Sequence, residues 1–242
     1  MLRETLEFAL KLKRPYAGTG VAALAEFLLA LPSAFEDDFG NIHVPVGRST
    51  TLFSSHIDTM HQGDGINPYK VIFDKDEPSK CLRYRALAEC LGADCAAGVA
   101  LMVSMIHARV PGYYVFHDGE EQGCLGSRFL AQETLFLQQF RRAIAFDRRG
   151  SKSIITHQSG IETASPRFAA DLAADFLQQG LHLEPNDRGA TTDVFHYREI
   201  IPECTNVSVG YHFAHSPKEW LDLVYLEKIA LACAKVRWEN CK

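Results

Sequence analysis

Apolar runs of strand length, most of them closed by His, Asp or Glu, alternate along this chain with stretches of helical periodicity. This alternation is what most limits the fold. A strand buried on both faces reads as a near-continuous apolar run, and strands that alternate with helices build a largely parallel sheet covered on both sides. Residues 50–55 (with Thr51-Leu52-Phe53 at the centre), 113–117, 143–147, 153–157 and 207–210 read as strands. Residues 2–14, 19–31, 127–137 and 166–180 read as helices, as does a small-residue segment from Gly92 to about His107, with a last helix inside 217–238. Residues 60–90 read as loop-rich, with one hairpin of 69–74 against 82–86. The expected architecture is α/β: a three-layer sandwich whose central sheet is mixed but mostly parallel. In such sheets ligands bind beyond the carboxyl ends of the strands.

Bulk properties exclude several function classes. The net charge is −5 and no run of five or more basic residues occurs, so nucleic acid is not expected as a partner. No apolar stretch reaches the ~18 residues that span a bilayer, so no membrane partner is expected. The seven cysteines, Cys81, Cys90, Cys95, Cys124, Cys204, Cys233 and Cys241, are odd in number and have no CxxC spacing. With charges in place of an apolar signal core at the start, they read as reduced thiols in a cytoplasmic protein. A length of 242 residues suits one α/β domain, taken as 1–242.

Five short segments carry chemistry: Ser54-Ser55-His56-Ile57-Asp58-Thr59, Gly92-Ala93-Asp94, His117-Asp118-Gly119-Glu120-Glu121-Gln122-Gly123, Ala145-Phe146-Asp147-Arg148-Arg149-Gly150 and Gly210-Tyr211-His212-Phe213-Ala214-His215-Ser216-Pro217. Singly, each has an ordinary explanation: a satisfied surface histidine, an acidic helix start, a turn aspartate. Their order is more telling. His-x-Asp, Gly-Ala-Asp, Glu-Glu-x-Gly, Asp and His-Ser-Pro-x-Glu follow one another over about residues 50–220, and this succession resembles the co-catalytic zinc exopeptidases, the clan of zinc aminopeptidases, carboxypeptidases and dipeptidases.

The resemblance implies a site and a fold. Two Zn2+ ions, for which Co2+ or Mn2+ can substitute, would share the Asp94 carboxylate. One would also take His56 and Asp147, the other Glu121 and His215. Zinc accepts imidazole nitrogen and carboxylate oxygen, and a carboxylate has two oxygens with which to bridge. Glu120 would be the general base, passing a proton from the attacking water to the leaving amine. Asp58 would orient His56 by accepting its remaining ring N–H. His61, His107, His117, His157, His182, His196 and His212 have no place in the pattern and read mostly as structural or surface residues, with His212 the rival of His215. The family often carries a second aspartate where this chain has Cys95, which leaves open both the local backbone, cis in some relatives, and a ligand role for the thiol. Larger members insert a lid or dimerisation domain after the fourth ligand. Here residues 148–214 read as core elements, so the catalytic domain alone is expected.

On the substrate side, Arg148 and Arg149 can pair with a carboxylate terminus. Asp193, in Gly189-Ala190-Thr191-Thr192-Asp193, can meet a free amino terminus or steer a ligand histidine. The expected substrate is a small peptide or N-acyl amino acid. Aminopeptidase is preferred, with carboxypeptidase, dipeptidase and N-acyl amino-acid deacylase as alternatives, an inactive metal-binding homologue as the alternative class, and a homo-oligomer left open.

Overall fold

A computed structural model describes residues 1–73 and 82–240. An eight-stranded sheet forms its centre, in the spatial order Glu184–Asn186, Ser153–Ile155, Glu203–Ser208, Arg142–Arg148, Thr51–His56, Gly112–His117, Ile42–Val46, Phe35–Glu36. The four central strands, Glu203–Ser208 through Gly112–His117, are mutually parallel. The pairing of Ser153–Ile155 with Glu203–Ser208 is antiparallel, as are those that add Ile42–Val46 and Phe35–Glu36.

Both faces of the sheet are apolar because successive side chains point to opposite sides. Phe53, Tyr114, Phe116, Ile144 and Phe146 join one core cluster, shared with the helices Leu2–Leu10, Ala93–His107 and Leu223–Cys233. Leu52, Val115, Ala143 and Ala145 join the other, shared with Leu130, Leu137 and Val194 from the opposite layer. Every residue of Thr51–His56 is buried. The expected three-layer α/β architecture with a mixed, mostly parallel sheet is therefore what is found.

The helix expected over 2–14 stops at Leu10. Leu12 and Lys13 pair with Ile66 and Gly65 instead, and Arg14, which precedes Pro15 and so disfavours helix, is fully buried. Its guanidinium donates to the carbonyls of Ile57 (2.9 Å) and Gly92 (2.7 Å), tying together two loops at the sheet's carboxyl edge. The helix expected over 127–137 is two short ones, Leu125–Leu130 and Thr134–Leu137. The strand expected at 207–210 lies earlier, at Glu203–Ser208. The hairpin pairs Tyr69–Phe73 with Leu82–Ala86; Asp74, Cys81 and Cys241 lie outside the described residues. Trp220–Asp222 and Tyr211–His212 extend that hairpin into a four-stranded sheet, so the last helix begins only at Leu223. Among the described residues, no helix is long and apolar enough to cross a membrane. The cysteines at 90, 95, 124, 204 and 233 are buried free thiols.

Candidate metal centre

Parallel pairing aligns His56 with His117 at the carboxyl ends of neighbouring strands. That register brings the His56-x-Asp58 turn beside the Gly119-Glu120-Glu121 turn. Asp58 locks the two together: one carboxylate oxygen accepts the backbone N–H of Glu120 and the other that of Glu121, each at 3.1 Å. His56 Nδ1 lies 3.0 Å from the Asp58 carbonyl oxygen and 3.4 Å from its carboxylate. Asp58 thus stands where it was expected, against the remaining ring nitrogen of His56. The carbonyl is nearer, and the carboxylate chiefly holds the glutamate turn.

Asp94 stands between the two histidines. His56 Nε2 is 3.1 Å from Asp94 Oδ1, and His215 Nε2 is 3.2 Å from Asp94 Oδ2. Asp147 Oδ1 lies 3.3 Å from His56 Nε2, and Glu121 Oε1 lies 2.8 Å from His215 Nε2. Two donor sets share Asp94, namely His56–Asp94–Asp147 and Asp94–Glu121–His215, in each of which one atom per side chain lies within 4.8 Å of the others, and His56–Glu120–Glu121 meets the same distance without Asp94. His212 is not part of any of these; its ring stacks on Trp220 at 4.1 Å.

The donor sets suit divalent cations. Mixed imidazole and carboxylate donors match zinc. Glu121 Oε1 is buried and, despite its closeness to His215, takes no well-formed hydrogen bond among the described residues. Burial also crowds several carboxylates together at the cost of their charge. Burial, with Asp147, Asp193 and Asp94 nearby, pushes the Glu120 carboxyl up to about 9 against the influence of His56. Burial works the same way on Asp94, but bonds from His215 and His56 outweigh it and hold Asp94 below the usual range. The nearby Asp94 and Glu121 carboxylates, against burial, raise His215 to about 10. A cation would relieve this arrangement of charge.

Further side chains fix the candidate donors. Thr192 donates to Asp147 Oδ2 at 2.7 Å, Asn206 Oδ1 accepts the Asp147 N–H at 3.0 Å, and the Tyr211 hydroxyl donates to the Asp147 carbonyl at 2.9 Å. None of the three has a metal-binding side chain of the usual kind; Thr192 and Tyr211 lie in segments the sequence singled out, but no sequence signal marked this role. Glu219, the last residue of His-Ser-Pro-x-Glu, accepts the N–H groups of Leu91, Gly92 and Asp94. Gly92 takes φ +72°, where a Cβ would be strained. The Asp94–Cys95 peptide is cis. The Cys95 thiol is near enough to join the first donor set, but it donates to the Phe146 carbonyl at 2.9 Å, and burial pushes its pKa well up, against the thiolate that a metal needs.

Asp94, Glu120, Asp147 and His215 open on a cavity of about 610 Å3, which Arg148, Arg149 and Arg188 also line. Asp193 does not line it. Both of its oxygens are buried without a well-formed hydrogen bond, and the nearby Ser127 hydroxyl donates to the Cys124 carbonyl. Asp193, expected to meet a substrate's amino terminus or to steer a ligand histidine, is thus a buried carboxylate outside the lining of this cavity.

The model of peptidase family M28 matches residues 41–212. No curated protein sequence matches the chain. Among solved structures, the aminopeptidase PepT from Bacillus cereus superposes with a TM-score of 0.77 at 15% identity, over 99% of this chain and 98% of that one. A tripeptidase from Staphylococcus aureus gives 0.73 at 14% identity, over 97% and 96%. The TET1 peptidase from Pyrococcus horikoshii gives 0.70 at 16% identity, over 98% and 100%. At these identities the likeness is one of fold.

Proposed function

The chain belongs to peptidase family M28, and from that premise we propose that it is a two-zinc aminopeptidase acting on small peptides, its catalytic domain standing without a lid. The observation that carries the reading is the division of Asp94, whose two oxygens face His56 and His215 at 3.1 Å and 3.2 Å. A carboxylate with a separate histidine on each oxygen is the donor that two neighbouring cations can share. His56, Asp94 and Asp147 would hold one ion, and Asp94, Glu121 and His215 the other.

When bound, the metal pair supplies Lewis-acid polarisation of the scissile carbonyl and makes water a better nucleophile near neutral pH. The chain's own residues do the rest. Glu120 lines the cavity beside both donor sets. It accepts a proton from the attacking water and returns it to the departing amine nitrogen, so the amide cleaves to a carboxylate and an amine. Asp58 positions Glu120 and Glu121 through their backbone N–H groups. Structural likeness to PepT supports the amino-terminal specificity. The TET1 peptidase, described as assembling into a tetrahedron or an octahedral shell, supports self-association of this chain.

Hydrolysis of aminoacyl, N-acyl and dipeptide substrates, each with and without a chelator, tests the reading. Chelator-sensitive cleavage of aminoacyl amides is expected. Cleavage of N-acyl amino acids alone would replace aminopeptidase with deacylase, and no cleavage of any amide would reject both.

A further inference from the structure

We propose that the cavity selects substrates carrying a carboxylate within one residue of the scissile bond, received by Arg148, Arg149 and Arg188; this rests on the peptidase reading above. Three arginine residues are among those that line the same cavity as Asp94, Glu120 and Asp147. The floor is acidic and committed to cations, whereas the wall beside it is cationic. Arg149 has no carboxylate within ion-pairing distance among the described residues, and neither has Arg148. Arg148 spends one N–H on the Arg188 carbonyl at 2.9 Å, which joins the two arginine-bearing segments, and its Nε is buried without a partner. Arg188 has only its neighbour Asp187, at 4.0 Å, and its side chain is 90% exposed.

Like charges gathered on one wall repel, and an anion between them removes that cost. Guanidinium forks match the two oxygens of a carboxylate. Position sets the reach: Arg148 and Arg149 follow Asp147 directly, so their backbone lies ~4–7 Å further along the strand end. A substrate residue spans a similar length, so a carboxylate one residue from the scissile bond is the anion this wall would meet. Gly189, Ala190 and Thr191 complete the wall without a competing charge. A lysyl or arginyl side chain would meet repulsion there. The carboxylate can be an acidic side chain or the free terminus of a dipeptide.

The test uses the full chain loaded with zinc and four substrates: Glu-Ala-amide, Ala-Ala with a free carboxylate, Ala-Ala-amide and Lys-Ala-amide. At least one carboxylate-bearing substrate should exceed Ala-Ala-amide by about tenfold in kcat/KM, mostly through KM, with Lys-Ala-amide slowest. Whichever of the two gains identifies side chain or terminus as the recognised group. The double variant Arg149→Glu/Arg188→Glu, both at exposed positions, should abolish that preference and raise Lys-Ala-amide relative to Ala-Ala-amide. Equal hydrolysis of charged and neutral amides, or a preference unchanged in the double variant, overturns this inference and leaves the peptidase reading standing. No hydrolysis of any amide, neutral ones included, overturns the peptidase reading and this inference with it.

Discussion

The carboxylate of Glu219 accepts the backbone N–H of Asp94 at 3.1 Å. The same side chain holds the N–H groups of Leu91 at 2.8 Å and Gly92 at 3.1 Å. A single buried glutamate thus sets the turn that presents the shared carboxylate. Glu219→Gln puts an amide N–H where an acceptor is needed. Zinc affinity should fall about 10- to 100-fold with the circular-dichroism spectrum retained, measured by competition with a chromogenic chelator. Unchanged affinity would show that Asp94 does not depend on this clamp.

Glu120 is in neither donor set built on Asp94, although it lies near His56 and Glu121, so metal content and turnover of its amide analogue together separate chemistry from binding. Glu120→Gln should retain its metal while kcat drops by about 10²- to 10⁴-fold. Metal analysis and steady-state rates on the same preparation separate the two effects. Normal turnover in this variant would remove Glu120 from the role of base.

Gly98 packs the helix Ala93–His107 against the sheet without room for a methyl group. A Cβ there would stand 1.9 Å from the Phe146 carbonyl and 2.6 Å from Ser55 Oγ. Ser55 precedes His56 and Phe146 precedes Asp147, so relief of the clash displaces two strand ends that carry candidate donors. Gly98→Ala should cost about 1–3 kcal/mol in urea unfolding and also weaken zinc binding. A variant as stable as the parent would contradict the packing described.

Asp37 gives a pH-dependent prediction away from the metals. Its carboxylate accepts the N–H groups of Phe39, Gly40 and Asn41 and pairs with His43. Burial opposes its ionisation, but the bonds from His43 and Asn41 outweigh burial and bring its pKa from 3.8 down to about 2. A carboxyl whose pKa is lower in the folded state stabilises the fold above its unfolded pKa, and loses that contribution as pH falls through the folded one. The stability gap between the parent and Asp37→Asn should therefore be full above about pH 4 and shrink towards pH 2. Urea midpoints across that range check it, and a gap independent of pH would contradict it.

How much of this was legible in the sequence depended on the range of the interactions. The central strands announced themselves because burial on both faces makes apolar runs such as Thr51-Leu52-Phe53. The candidate donors were legible because they lie in short segments, most of them after strands, with Asp94 at the start of the helix Ala93–His107. Ile42–Val46 was hidden by its own His43 and Pro45, and Glu184–Asn186 by Pro185 and two polar residues. Arg14 reads as the end of a surface helix until its contacts to Ile57 and Gly92 are seen. The parts played by Glu219, Thr192 and Asn206 rest on partners distant in the chain, which no local pattern encodes. Asp193 stood in a suggestive segment, but its burial is a tertiary property.

Titration of zinc into chelator-stripped protein, with hydrolysis of an aminoacyl amide followed at each addition, tests the central claim most directly. The sharing of Asp94 between the two donor sets predicts that activity rises until two equivalents per chain are bound and then levels off. A plateau at one equivalent, or full activity before any zinc is added, would contradict it.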